Sequence, residues 1–132
     1  MQITDYFAQI QFNLATIAEI SSRDITFDQR SSFIGHIWGD IYFADGSRLH
    51  FSEYVDVEQV IDRVKYSYHF MQKDRLLFRY DNASDPRARV LKTYPHHMHT
   101  ADGQLIDSAA PTLAEVIAEI QELLINTQKG EN

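Results

Sequence analysis

The sequence predicts an α+β domain: an antiparallel β-sheet meander of four to five strands, flanked by an N-terminal and a C-terminal helix packed on one face. Three observations point there. Apolar residues in the first twenty positions recur at helical spacing. From Phe33 onward they alternate with polar ones, and a capping motif behind Pro111 restarts the helical spacing near the end.

A first helix is expected over residues 1–20. Ile3, Phe7, Ile10, Leu14 and Ile17 fall three or four apart, with Gln9, Gln11, Asn13 and Glu19 between them. Ser21-Ser22-Arg23-Asp24 is expected to end it. The sheet is expected over residues 33–100. In its first strand Ile37, Ile41 and Phe43 take one side and His36, Trp38, Asp40 and Tyr42 the other. Ala44-Asp45-Gly46-Ser47 reads as a hairpin turn, with Asp-Gly supplying the backbone freedom. A second strand over 48–57 points Leu49, Phe51 and Val55 one way. A third, over 63–71, aligns Val64, Tyr66, Tyr68 and Phe70. After Gln72-Lys73-Asp74, a fourth over 75–81 aligns Leu76, Phe78 and Tyr80. Residues 82–93 read as a loop and 94–100 as a short fifth strand before the Asp102-Gly103 turn. Thr112-x-x-Glu115 has capping-box spacing, so a second helix is expected over 112–126. Val116, Ile117, Ile120, Leu123 and Leu124 form its apolar stripe, and the tail is expected to fray from Thr127. One domain covers 1–132.

With 132 residues the chain is long enough for one hydrophobic core. The absence of cysteine excludes disulfides, zinc-thiolate sites and thiol catalysis. No run approaches the ~18 apolar residues that span a bilayer, and the N-terminus lacks the basic start of a secretion signal. A cytoplasmic protein without membrane contact is expected. The net charge of −7 argues against broad nucleic-acid binding. That charge is uneven, however: from Arg63 to Lys92 there are eight Lys/Arg against three Asp/Glu. Four of the six histidines fall between Tyr66 and His99, so the one basic stretch coincides with the histidine- and tyrosine-rich one.

Period-two geometry puts Lys65, Ser67 and His69 on the face away from Tyr66, Tyr68 and Phe70, with Arg79 and Asp81 joining them from the next strand. Histidine shuttles protons near neutral pH, arginine holds phosphate through paired hydrogen bonds, and aspartate orients histidine. The candidate catalytic residues are therefore His69, Arg79, Asp81 and His97, with His69 or His97 as acid/base. Lys65, Arg87, Arg89, Lys92, His96 and His99 are candidate substrate contacts. These are the parts of metal-independent phosphodiester cleavage, and a merely solvated sheet face would carry the same residue types. His96-His97-x-His99 also allows a metal reading, with His97 and His99 on one face and Asp81 or His69 as third ligand. The spacing matches no established metal motif, and protonated histidines at the edge of a basic stretch favour phosphate. No metal and no cofactor is assigned. Trp38 and Tyr42 are expected to pack in the core or against a helix. Glu53, in phase with Leu49 and Phe51, is expected at a sheet edge or paired inside, where it would be a general-base candidate.

These segments carry a family resemblance. Phe51-Ser52-Glu53-Tyr54-Val55-Asp56, Tyr66-Ser67-Tyr68-His69-Phe70, Phe78-Arg79-Tyr80-Asp81-Asn82-Ala83 and Pro95-His96-His97-x-His99 resemble, in order, the motifs of the small bacterial and archaeal TumE-type toxin family. Pro111-Thr112-Leu113-x-Glu115-Val116 resembles that family's last helix. Ser84-Asp85-Pro86-Arg87 stands where members usually carry a proline- and histidine-containing stretch, so no histidine role carries over to that spot. The resemblance implies the toxin of a type II toxin–antitoxin pair, neutralised by a cognate helix-turn-helix antitoxin. Joined to the residue reading, the expected function is a toxin acting on RNA as a ribonuclease, with a homodimer left open. The alternative is a non-enzymatic module that binds another protein through the exposed sheet face around Trp38, Tyr42 and Tyr54.

Overall fold

A computed structural model describes residues 1–130. The elements run α1 (Ile3–Ala15), β1 (Ile20–Gln29), β2 (Ile34–Phe43), β3 (Arg48–Asp56), β4 (Asp62–Gln72), β5 (Arg75–Asp81), a 3-10 turn (Pro86–Val90), β6 (His97–Thr100), β7 (Leu105–Asp107) and α2 (Leu113–Gly130). The strands pair in chain order as one seven-stranded antiparallel meander. The α+β architecture is as expected, but the sheet has seven strands rather than four to five.

The two extra strands lie at its edges. α1 stops at Ala15, where the Thr16 hydroxyl donates to the Asn13 carbonyl at 2.8 Å. Ser21, Ser22, Arg23 and Asp24 therefore do not end a helix; they open β1. All four are exposed. An edge strand pairing only with β2 has no need of apolar alternation, which is why the period did not betray it. β7 has three residues, too few to show any period. α2 continues to Gly130, past the expected fraying point at Thr127. Its capping box is present: Glu115 N–H donates to Thr112 Oγ1 at 3.2 Å and Thr112 N–H returns to Glu115 Oε1 at 3.2 Å.

Both helices cover one sheet face. Ile3, Tyr6, Phe7, Ile10 and Leu14 of α1 and Leu113, Val116, Ile117 and Ile120 of α2 meet Ile37, Ile41, Leu49, Phe51, Val55, Tyr68, Phe70 and Phe78 from the strands. α1 approaches β2 so closely that a Cβ on Gly35 would stand 2.6 Å from Phe7 Cζ, so any larger residue would force the Phe7 and Ile3 side chains to shift.

Two bulges reset the expected phases. Tyr54 pairs with Lys65 and Val55 with Arg63, which leaves Val64 unpaired and 45% exposed. Arg63, not Val64, turns to the core side. Its guanidinium donates to Tyr68 Oη at 3.1 Å and to the carbonyls of Pro111 and Ala110 at 2.7 Å each, with Tyr66's ring 4.4 Å beneath it. In β5 the pairing skips Leu77, so Leu77 rather than Leu76 packs against the core.

Glu53 is paired inside. It is fully buried and accepts hydrogen bonds from Tyr6 Oη and from Tyr68 Oη, the latter at 2.6 Å. Burial, reinforced by the Glu53 carboxylate, holds both phenols well above the usual tyrosine range, so they stay donors. Removing the carboxylate leaves the buried hydroxyls of Tyr6 and Tyr68 without their acceptor. Glu53→Ala is expected to cost about 3–5 kcal/mol and Tyr68→Phe about 1–2 kcal/mol, both read by urea unfolding.

Candidate functional site

The open sheet face is organised by register. Asp40, His50, His69, Arg79 and His99 are successive cross-strand partners from β2 to β6, forming one row. Trp38, Ser52, Ser67, Asp81 and His97 form the next row. Direct partners in an antiparallel pair project to the same side. His69, Arg79, Asp81, His97 and His99 are therefore brought together, as the alternation anticipated for the first three.

Asp81 is the centre. Its carboxylate is buried, with Oδ1 2.9 Å from His97 Nε2 and accepting from the Ala83 N–H at 3.0 Å. Oδ2 lies 2.8 Å from Arg79 Nε and 3.4 Å from His99 Nε2. Neither Arg79 Nε nor Asp81 Oδ2 completes a hydrogen bond, because the Arg79 N–H does not point along that contact. The pair is held by charge, and one buried carboxylate oxygen keeps an unused acceptor. His97 is 1% exposed and its Nδ1 lies 2.9 Å from the Pro95 carbonyl. A carbonyl only accepts, so Nδ1 carries a hydrogen and Nε2 is aimed at Asp81. His97 thus braces Asp81 from within, while Arg79 and His99 keep part of their side chains in solvent.

A cleft of about 510 Å³ opens beside this group, lined by Ser52, Lys65, Ser67, Arg79, Asp81 and Asn82 among others. Lys65 is the one expected substrate contact found in that lining. His96 sits apart, with Nδ1 2.7 Å from Tyr66 Oη and the rings stacked at 5.8 Å. Arg87 is engaged by Asp85 at 2.9 Å on the 3-10 turn, and Arg89 and Lys92 are exposed around it. Trp38 and Tyr42 lie on the open face, not in the core or against a helix, because β2 keeps strict alternation. The Trp38 and His36 rings stand 4.5 Å apart, with Tyr54 6.3 Å beyond His36. Two contributors went unread in the sequence. His50 is out of phase with Leu49 and Phe51, a signal that would have placed it in the row. Asn82 gives no such signal: it accepts from the Tyr66 N–H at 3.0 Å and donates to the Val64 carbonyl at 3.1 Å, clamping the bulge.

Burial, and then the positive charges of Arg79, His50, Arg48 and His99, push the His69 ring below the usual histidine range. Burial also lowers His99, against an opposing pull from Asp81. Both rings are therefore largely neutral at pH 7 and can accept a proton.

The open sheet face of this small α+β protein thus carries a His-Arg-Asp cluster beside a cleft that Arg79 and Asp81 help to line, an arrangement of the kind binding and catalytic sites use. The chain belongs to the family described as Toxin TumE, whose profile matches residues 11–124. Comparisons with curated proteins and with solved structures find no match. No helix among the described residues is long and apolar enough to cross a membrane.

Asp81 supplies the only favourable charge on His99 among the causes above, so its removal should lower the His99 titration midpoint further. Asp81→Asn is expected to move that midpoint down in an NMR pH titration. An upward shift would contradict the contact.

Proposed function

We propose that this toxin acts on RNA, cleaving the phosphodiester by metal-independent acid–base chemistry, and that a cognate helix-turn-helix antitoxin neutralises it. The observation that carries the reading is the row His69–Arg79–His99, two imidazoles with a guanidinium between them. Two strand spacings separate the histidines, about 10 Å between backbones, with the side chains free to lean toward a phosphate held by Arg79. In RNA the 2′-hydroxyl is the nucleophile. One neutral imidazole removes its proton, the attacking oxygen forms a bond to phosphorus, and the other imidazole, protonated, gives a proton to the departing 5′-oxygen. Arg79 stabilises the extra charge on the non-bridging oxygens. Asp81 contacts both Arg79 and His99 and orients them. In this reading the acid–base pair is His69 and His99, and the enclosed His97 positions Asp81.

A second reading, recognition of another protein by the sheet face, is favoured by the aromatic group of His36, Trp38 and Tyr54 on that same face.

Purified protein incubated with mixed RNA in EDTA should cleave it. His69→Ala and Arg79→Ala are each expected to reduce kcat/KM by about 10²–10⁴, and Arg79→Lys by less. One ring must be neutral and the other protonated, and both ionise below the usual 6.5. The kcat/KM profile should therefore peak on the acidic side of pH 6.5, falling at higher pH as the acid loses its proton and at lower pH as the base gains one. Intact RNA, with growth inhibition that survives Arg79→Ala but not Trp38→Ala, would replace this reading with the second.

A further inference from the structure

We infer that Asp81, His97 and His99 form a binding site for a divalent transition-metal ion of the zinc type. The donor atoms of the three residues all lie within 4.8 Å of one another, and Asp81 and His97 are buried. Four features argue for a built site over a chance cluster. The donor set, two imidazoles and one carboxylate, is the composition that borderline ions select, and His99 is the one donor that stays partly exposed. The Pro95 carbonyl fixes the hydrogen of His97 on Nδ1, 2.9 Å away, and so directs Nε2 inward; this is the outer hydrogen bond that orients metal-binding histidines. Asp81 Oδ2 is a buried carboxylate oxygen with no hydrogen bond, and it faces His99 Nε2 at 3.4 Å. Bonds of about 2.0–2.1 Å in tetrahedral arrangement space neighbouring donors by roughly 3.3–3.4 Å, so that pair already stands at the required separation.

The 2.9 Å contact between His97 Nε2 and Asp81 Oδ1 can be bridged by a proton or, with slight opening, by the ion. Arg79 Nε beside Oδ2 weakens the site electrostatically but also holds the carboxylate in orientation. His50 on β3 and Asp40 on β2 share the row of His99 but lie three and four strands from it, and they are not part of the donor set. The inference goes beyond the RNA reading and does not require it. If both hold, the ion occupies the His99 lone pair that proton transfer uses, so it inhibits cleavage.

The test is calorimetric titration of the full chain with zinc chloride in the absence of RNA, paired with thermal unfolding. Wild type should bind one ion per chain and melt at higher temperature with zinc. Because His97 and Asp81 are buried and their variants can fail to fold, the decisive variant is His99→Ala at the partly exposed ligand. It should keep the metal-free melting temperature and lose at least about tenfold in zinc affinity, while His50→Ala binds as wild type does. No binding by wild type at 100-micromolar zinc (on the order of a 5 kcal/mol interaction), or equal affinity in wild type and His99→Ala, overturns the inference. Zinc binding without any RNA cleavage leaves the site standing and removes only the RNA reading; cleavage in EDTA with no zinc binding does the reverse.

Discussion

A carboxylate sits inside the apolar core, and the rest of the molecule is arranged around keeping it paired. Glu53 on β3 takes one hydrogen bond from α1 through Tyr6 and another from β4 through Tyr68. Tyr68 is joined to Arg63, which in turn holds the Ala110 and Pro111 carbonyls at the entrance to α2. A buried charge without partners costs several kcal/mol, whereas apolar contact alone tolerates sliding. The network therefore fixes poses that hydrophobic packing would leave loose. α1 must lie where Tyr6 reaches Glu53, which requires the close approach at Gly35. The segment before α2 must lie where its carbonyls meet Arg63.

Fixing the core face fixes the other one. Side chains alternate along each strand, so a sheet that commits Phe51, Tyr68, Phe70 and Phe78 to the helices commits His50, Ser67, His69 and Arg79 to solvent. The bulges at Val64 and Leu77 fall just outside the stretch where Ser67 to Phe70 faces Phe78 to Asp81. Pairing there is uninterrupted, so three strands deliver their polar residues in one line. Asn82 joins the two sides of this arrangement: its side chain clamps the bulge that turns Arg63 inward, while its neighbour Asp81 anchors the open face.

The basic stretch is less basic in space than in sequence. Of its eight cations, Arg63 serves the core, Arg87 is matched by Asp85, and Arg79 leans on Asp81. What remains near the cleft is Lys65 and the exposed part of Arg79. Any anion there meets a small focus of positive charge inside an acidic molecule, an arrangement suited to one phosphate and not to a broad nucleic-acid surface.

Much of this was legible in the residue order. Period change gave the two helices, the central strands and the sorting of His69, Arg79 and Asp81 onto one face, because alternation is local geometry. The ordered motifs gave the family. Edge strands escaped because a strand exposed along most of its length has no apolar period to read, as Ser21 to Asp24 illustrate. Trp38 was misassigned because an aromatic residue satisfies a core and an open face equally well by composition. Phase within a strand was lost at the bulges, where one inserted residue exchanges Val64 for Arg63 and Leu76 for Leu77. Local sequence thus determined which elements form and which residues could do chemistry. Only the tertiary structure decided that His97 is buried against Asp81 while His99 stays partly open, since that depends on which strands become neighbours and in what register.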